Sequence, residues 1–451
     1  MYQAMQETIG LKLLIATKDE GFSLDEFIIR LKEFAMKEGL PGIAAFFLRV
    51  VDELLQMRRL QSPRDEAPCC PHCGGRRLSV KHLEPRAMTT SIGEVKFAWR
   101  RLICSSCKKT HVPLRDFLRF SPWQSKTNEL ERVAVETFTE QTYRRGANHF
   151  ATLGVNPVAP TTGRRWVMAT QCGACDQKRE DVEAVLADAT GFKRRPDAAA
   201  GVDNAGEVRV SIGLTRKGAW VPLGAHTQES WEQIAADIGA RVGQGDAKPK
   251  LAVIDGGRGM AEAFSKVANE VQRCEWHLVG QLRYALYDDG VKKPGQEPYV
   301  DKLAAILHVQ MPESEIEKIG ADERVELEKK LFGIAGQLDE LIGTLEKNGH
   351  DQAAGYLRAS QGHTFRWLAF WLKTGFRCPR TTSHLERLMR EIGRRLKKIA
   401  FGWSEKGAAQ MTRILIRKIV SPQEWEEHWK KILRLDGNVT ILFRSVGQAA
   451  A

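Results

Sequence analysis

The sequence predicts an α/β protein whose sheet-forming core is interrupted by a large all-α insertion and preceded by a helix-turn-helix and a zinc-ribbon-like module. Three observations predict it. Residues 180 to 290 alternate between strand and helix patterns, and two of their apolar runs end in aspartate. Residues 295 to 372 carry helical periodicity. Two C-x-x-C pairs, Cys70/Cys73 and Cys104/Cys107, bracket a segment that shows alternation from Glu94 to Cys104.

The chain has 451 residues, enough for roughly three or four structural units. An apolar fraction of 43 % allows a real core and excludes wholesale disorder. Lys and Arg outnumber Asp and Glu by 68 to 56, a net charge of +12. That excess suits a polyanionic partner, most commonly nucleic acid, and equally suits a basic soluble enzyme. No apolar run is long enough to span a bilayer, and the N-terminal stretch lacks the order of a secretory signal. The nine cysteines fall mostly in C-x-x-C pairs, and an odd count argues against a complete disulfide framework. A reducing cytoplasm with metal-bound thiolates is expected.

Residues 1–61 read as a helical segment, since Leu24, Phe27, Ile28, Leu31 and Phe34 recur at helical spacing. The stretch from Ser62 to Pro68 reads as a linker opening the zinc-ribbon-like module, residues 62–118. Zinc takes four soft ligands in a tetrahedron, and Cys70, Cys73, Cys104 and Cys107 supply them. Val95, Phe97 and Trp99 share one strand face between the knuckles. A closed four-thiolate site implies structural Zn²⁺ rather than catalysis. Lys81, Arg86, Lys96, Arg100 and Arg101 leave two uses open, DNA contact or packing. A third pair, Cys172/Cys175, has no complement, and no function is expected of it.

Residues 125–175 read as three short helices with a Gly-containing turn and a basic last helix, capped by Thr161 or Thr162. As a helix-turn-helix, the region presents Arg144, Arg145, Arg164 and Arg165 to phosphates or base edges. A plain helical linker with a solvated basic face is the other reading.

The core is expected over residues 180–290 and 375–420. Residues 183–188 read as a buried strand ending at Asp188. Strands follow at Glu207–Leu214 and Ala219–Ala225, then a helix over Ser230–Val242. A second buried strand, Leu251–Ile254, ends at Asp255. A helix over Met260–Val271 and a strand near Gln272–Trp276 complete the order β-β-β-α-β-α-β. That is the connectivity of an RNase H-like core, in which the first and fourth strands are neighbours and set Asp188 beside Asp255. Two adjacent carboxylates repel unless a cation sits between them. Mg²⁺ or Mn²⁺ takes oxygen ligands, and a pair of such ions suits an in-line displacement at phosphorus. The third ligand is expected late, on a helix opened by Thr381-Thr382-Ser383-His384-Leu385-Glu386, with the threonines or Ser383 as cap. Arg387, Arg390 and Arg394 continue beside Glu386 as a basic stripe for a phosphate backbone. Glu386 also reads as a surface partner of Arg390, with Glu391 as the alternative ligand.

Taken in order, Asp188-Ala189-Thr190-Gly191-Phe192-Lys193, Ile254-Asp255-Gly256, Cys274-Glu275-Trp276-His277 and Thr381-Thr382-x-x-x-Glu386 resemble the Mutator-like DDE transposases. That group includes many bacterial insertion-sequence enzymes. The resemblance spans about residues 125 to 420, and departs from the group at Ala189, where members commonly have Gly. It implies cleavage of double-stranded DNA at the ends of a mobile element and joining of the 3′-hydroxyl to target DNA. It implies that Cys274 packs and orients, and that His277 contacts the scissile phosphate or a catalytic water. It also implies a homodimer or larger assembly, cytoplasmic and nucleoid-associated when on DNA. Without the resemblance, His277 reads as a satisfied structural histidine.

The helical insertion is placed at 291–374 and a C-terminal tail at 421–451. Leu327, Leu331, Ile334, Leu338, Leu341 and Leu345 form a seam for use within the insertion or between subunits. The aromatics Phe365, Trp367, Phe370, Trp371 and Phe376 suit buried core, with stacking on an opened DNA end as the alternative. Two further functional readings stay open: an RNase H-like nuclease or resolvase that cuts without strand transfer, and a zinc-ribbon and helix-turn-helix regulator with an inactive core.

Overall fold

The computed structural model describes residues 23–63, 68–153, 156–171, 175, 177–195, 205–243, 245, 248–310, 319–399 and 402–435. Cys172 lies outside them. They divide into two compact units, Met1–Ala134 with Tyr143–Thr162, and Val135–Thr142 with Gly163–Ala451. No helix among the described residues is long and apolar enough to cross a membrane.

The first unit opens with α1 (Leu24–Phe34) and α2 (Leu40–Gln61), joined by a π-helical turn over Ala35–Gly39. A long hairpin follows, β1 (Leu78–Thr90) against β2 (Gly93–Cys104), with a short β3 (Thr110–His111) and α3 (Pro113–Phe117). The alternation of β2 buries Val95, Phe97 and Trp99 against Met88, Val112 and Leu114, and Leu48, Val51 and Leu55 of α2 pack on them. Arg100 donates to Asp52 at 2.5 Å, and Arg101 donates to Glu84 at 2.8 Å. These two arginines therefore serve packing.

Three helices follow as expected: α4 (Asn128–Glu140), α5 (Tyr143–Leu153) and α6 (Pro160–Ala169). The start of α6 differs from expectation. It begins at Pro160, so Thr161 and Thr162 lie inside its first turn instead of capping it. Proline suits the first helical position because its missing N–H has no helical acceptor there. The division between the units falls within α4 and α6.

The second unit is built on β4 (Val182–Lys193), β5 (Ala205–Thr215), β6 (Trp220–His226), α7 (Trp231–Gly239), β7 (Leu251–Ile254), α8 (Met260–Ser265) and β8 (Glu270–Arg273). The sheet order is β6-β5-β4-β7-β8. β4 runs antiparallel to β5 and parallel to β7, and β7 runs parallel to β8. The first and fourth core strands are therefore neighbours. Val185, Ala187 and Ile254 pack with Ile234, Ile238 and Phe264 of α7 and α8. Boundaries depart from the sequence expectation in several places. β4 continues five residues past Asp188, because β5 pairs with it as far as Lys193. α8 stops at Ser265. β8 ends at Arg273, so Trp276 lies in the next helix, α9 (Glu275–Asp288).

The insertion comprises α10 (Lys293–Leu307), α11 (Ala321–Lys347), α12 (Asp351–Gln361) and α13 (Arg366–Thr374). Leu327, Leu338, Leu341 and Leu345 are buried where α11 packs on α10, α12 and α13, so the seam is used within the insertion. Phe365, Trp367, Phe370 and Trp371 are buried too, which leaves no ring of theirs for a base. The chain then returns through α14 (Ser383–Gly393), a π-turn over Arg394–Lys398, α15 (Glu405–Val420) and α16 (Pro422–Leu433). α14 packs on β4, and α15 packs on β5 and β6.

Close packing in the second unit constrains α6. A Cβ on Gly163 would lie 1.9 Å from the buried ring of Phe138. Gly163→Ala should therefore cost about 1–3 kcal/mol by forcing that ring from its place. The midpoint of chemical denaturation checks this; an unchanged midpoint contradicts it.

Candidate functional site

Parallel pairing fixes the first two acidic positions. Ala187 pairs with Ile254, so Asp188 and Asp255 occupy the next positions on adjacent strands. Side chains alternate along a strand. Ala187 and Ala189 face α7 and α8, so Asp188 faces the other way, toward the side that receives α14. There the ligand atoms of Asp188, His277 and Glu386 all lie within 4.8 Å of one another. Asp255 stands outside that trio. One of its oxygens accepts a hydrogen bond from Gly257 N–H at 2.8 Å, yet its charge is felt by Asp188. Gly256 turns this loop with φ +87°, and a Cβ there would lie 0.4 Å from the Arg273 guanidinium.

A second set of contacts ties the C-x-x-H element to the glutamate helix. Cys274 is fully buried at the end of β8, and its N–H donates to Ile254 O at 2.8 Å. Its sulfur accepts from both the N–H and the hydroxyl of Thr382, each at 3.3 Å. The Thr382 oxygen also lies 3.5 Å from His277 Nδ1. Thr382 occupies the cap position of α14, but its hydroxyl serves Cys274 and His277 instead of capping the helix. Across the ring, His277 Nε2 lies 3.3 Å from Glu386 Oε1. That oxygen is buried and has no hydrogen-bond partner among the described residues.

Burial, and next the charge of Asp255, push the Asp188 carboxyl up to about 7. Burial opposes a charge on His277, but the Cys274 thiol and the charges of Asp188 and Glu386 outweigh it and raise the imidazole. Burial likewise opposes the Cys274 thiolate, while hydrogen bonds from His277 and Thr382 outweigh it and lower the thiol. Burial also pushes Glu275 up to about 7, although Trp367 Nε1 donates to it at 2.6 Å. This cluster concentrates acidic groups around one unsatisfied oxygen. Its oxygen and imidazole donors suit a divalent cation, which removes the like-charge cost.

A second candidate metal centre lies in the first unit. The sulfurs of Cys70, Cys73, Cys104 and Cys107 all lie within 4.8 Å of one another. Backbone N–H of Cys107 leads the groups that pull the Cys104 thiol down to about 6. Cys69 is exposed beside the four.

The predicted DNA contacts divide. Arg144, Arg145, Arg164 and Arg165 are exposed, as are Arg387 and Arg390 on α14. Arg394 is engaged, donating to Glu140 at 2.7 Å and to Glu391 at 2.8 Å. Those ion pairs make it a tie within the fold, and they use Glu391, the alternative ligand, for the same purpose. Sequence reasoning misses the Thr382–Cys274 contact and the burial of Glu275. The T-T-x-x-x-E and C-E-W-H strings hold the residues, but their meeting spans a sequence separation of 108 positions.

No protein-family model matches the chain, and no curated protein does. Among solved structures it is similar to one titled "Drosophila P element transposase strand transfer complex", at 11 % identity, covering 65 % of this chain and 92 % of that one, with a TM-score of 0.35. A likeness that slight carries no argument about function.

The raised Asp188 carboxyl has a consequence for stability. Its folded value, about 7, stands above the ordinary 3.8, so folding favours the protonated form. The stabilisation is complete below about pH 4 and is lost as pH rises through about 7. In chelator, the stability of Asp188→Asn relative to the parent chain should therefore grow between about pH 4 and 7 and level off above that. Denaturation curves across that window check it, and a pH-independent difference contradicts it.

Proposed function

We propose that this chain is a metal-dependent DNA transposase of the Mutator-like DDE group, with an RNase H-like core. On this reading it cuts DNA at the ends of a mobile element and joins the freed 3′-hydroxyl to target DNA. The observation that carries the reading is the convergence of Asp188 and Glu386, 198 positions apart in sequence, beside Asp255 on the adjoining parallel strand. The sheet order β6-β5-β4-β7-β8 gives that convergence its setting.

Asp188, Asp255 and Glu386 would hold Mg²⁺ or Mn²⁺. When bound, a pair of such ions supplies activation of the attacking oxygen and charge stabilisation at the leaving one. The protein's own groups do the rest. Glu386 offers an oxygen that accepts no hydrogen bond among the described residues and lies 3.3 Å from His277 Nε2. His277 offers a proton at Nε2, held beside Glu386, for a phosphate oxygen. Cys274 and Thr382 fix the plane of that imidazole through its other nitrogen. Arg387 and Arg390, exposed one and four residues after Glu386, would meet the DNA backbone next to the centre. The exposed arginines of α5 and α6 would hold duplex flanks. The four-cysteine centre would hold structural Zn²⁺, and the chain would act as a homodimer or larger assembly on paired ends.

Asp188→Asn, Asp255→Asn and Glu386→Gln should each lower Mg²⁺-dependent cleavage and joining about a thousandfold, the rate equivalent of several kcal/mol of lost charge stabilisation. The assay uses labelled DNA taken from the borders of the encoding locus. Cleavage that survives all three changes contradicts the metal site. Cleavage by the parent chain without joined product favours a nuclease instead.

The purified protein should carry one zinc per chain, and Cys104→Ser should lose it together with stability of the first unit. Elemental analysis and thermal unfolding read both; metal-free protein of undiminished stability contradicts the assignment.

A further inference from the structure

Next to His277, one face of α9 carries aromatic rings that the described residues leave uncovered. Leu278, Leu282 and Leu286 are fully buried on the inner face of this helix. On its outer face Trp276 is 62 % exposed, Tyr284 68 % and Tyr287 70 %. At about 100° per residue these three positions fall within about 80° of one another, over a rise of about 16 Å. Large apolar side chains gathered on one exposed face mark a binding surface more often than chance. Here they line a cleft of about 860 Å³, which His277 also lines. The Trp276 ring meets the His277 ring edge-on, with centroids 5.0 Å apart. The cleft therefore borders the proposed reaction centre at His277.

Its other features select an occupant. Gly280 sits between Trp276 and Tyr284, and a Cβ there would meet nothing within 4 Å, so flat groups can enter between the rings. Lys292 and Lys293 line the cleft and are exposed. Arg283, also on the lining, is held by Glu297 at 2.8 and 3.1 Å and contributes no free charge. A row of rings with cationic groups at one end suits a chain of planar bases on a phosphate backbone. A duplex hides the faces of its bases, so the match is to a strand whose bases are unpaired.

We propose that this face binds an unpaired DNA strand at the reaction centre, with Trp276, Tyr284 and Tyr287 stacking on bases and Lys292 and Lys293 meeting phosphates. The inference rests on the DNA-cutting function proposed for the chain. It gives the opened strand a place on α9, in contrast to the aromatics of 365–376, whose rings at 365, 367, 370 and 371 are buried.

The test measures binding in chelator, so that it reads the strand site whether or not the centre cuts. Fluorescence anisotropy of the full chain compares a labelled oligothymidine strand with a blunt duplex of matched length. Tyr284→Ala/Tyr287→Ala should weaken strand binding about tenfold or more, with duplex affinity changed less than about twofold. Tyr284→Phe/Tyr287→Phe should retain the parent affinity, since a phenyl ring still stacks. Strand binding should also quench the tryptophan fluorescence of the parent chain more than that of Trp276→Phe. Unchanged strand affinity in the alanine pair overturns the proposal, as does an equal loss on strand and duplex. A change of oligomeric state in the alanine pair without loss of strand affinity also overturns it, and assigns the face to a second copy of the chain. Mg²⁺-dependent cleavage by the parent chain, measured separately, reports on the underlying function.

Discussion

The parallel pairing of β4 with β7 is the constraint on which the site depends. Parallel strands need a long crossover, here supplied by β5, β6 and α7. Its register, Ala187 opposite Ile254, puts two aspartates side by side where β7 ends. Both strands are buried up to those positions and Asp188 itself is buried, so the charge of half-buried Asp255 is felt by the Asp188 carboxyl. Folding thereby builds a repulsion that protonation or a cation relieves. A one-residue slip of β7 would turn Asp255 to the α7 side and place Ile254 in the site.

Residues 273 to 277 connect three parts of the second unit. Arg273 supports the Asp255 loop from below Gly256 and donates to the Tyr356 hydroxyl at 2.9 Å. Cys274 binds Thr382 at the start of the glutamate helix. Glu275 takes the Trp367 indole from α13, and Trp276 and His277 face the cleft. The insertion is therefore anchored to the same few residues that shape the candidate metal centre. A change in how α12 and α13 pack would be felt at Gly256 and Thr382 through residues 273 to 275.

Much of this is legible in the sequence, for physical reasons that differ by element. The strands announce themselves because a doubly covered sheet needs unbroken apolar runs, and Val185 to Ala187 and Leu251 to Ile254 are such runs. The four cysteines are legible because thiolate spacing in a knuckle is local. Burial is less legible. The aromatics of 365–376 and those of α9 look alike in sequence, and only the packing of the insertion separates the buried set from the exposed one. The role of Arg394 is hidden similarly, since its partner Glu140 lies 254 positions away. The end of β4 escapes a local reading because its edge is set by its neighbour β5, whose length the run of apolar residues does not encode.

The central claim is that Asp188, Asp255 and Glu386 share divalent cations. Anomalous diffraction from crystals of the full chain soaked in Mn²⁺ tests it most directly. The account predicts manganese peaks within coordination distance of all three carboxylates. Peaks that leave Asp255 or Glu386 uncoordinated, or no peak beside Asp188 and the end of β7 with the soaked ion saturating, would contradict it.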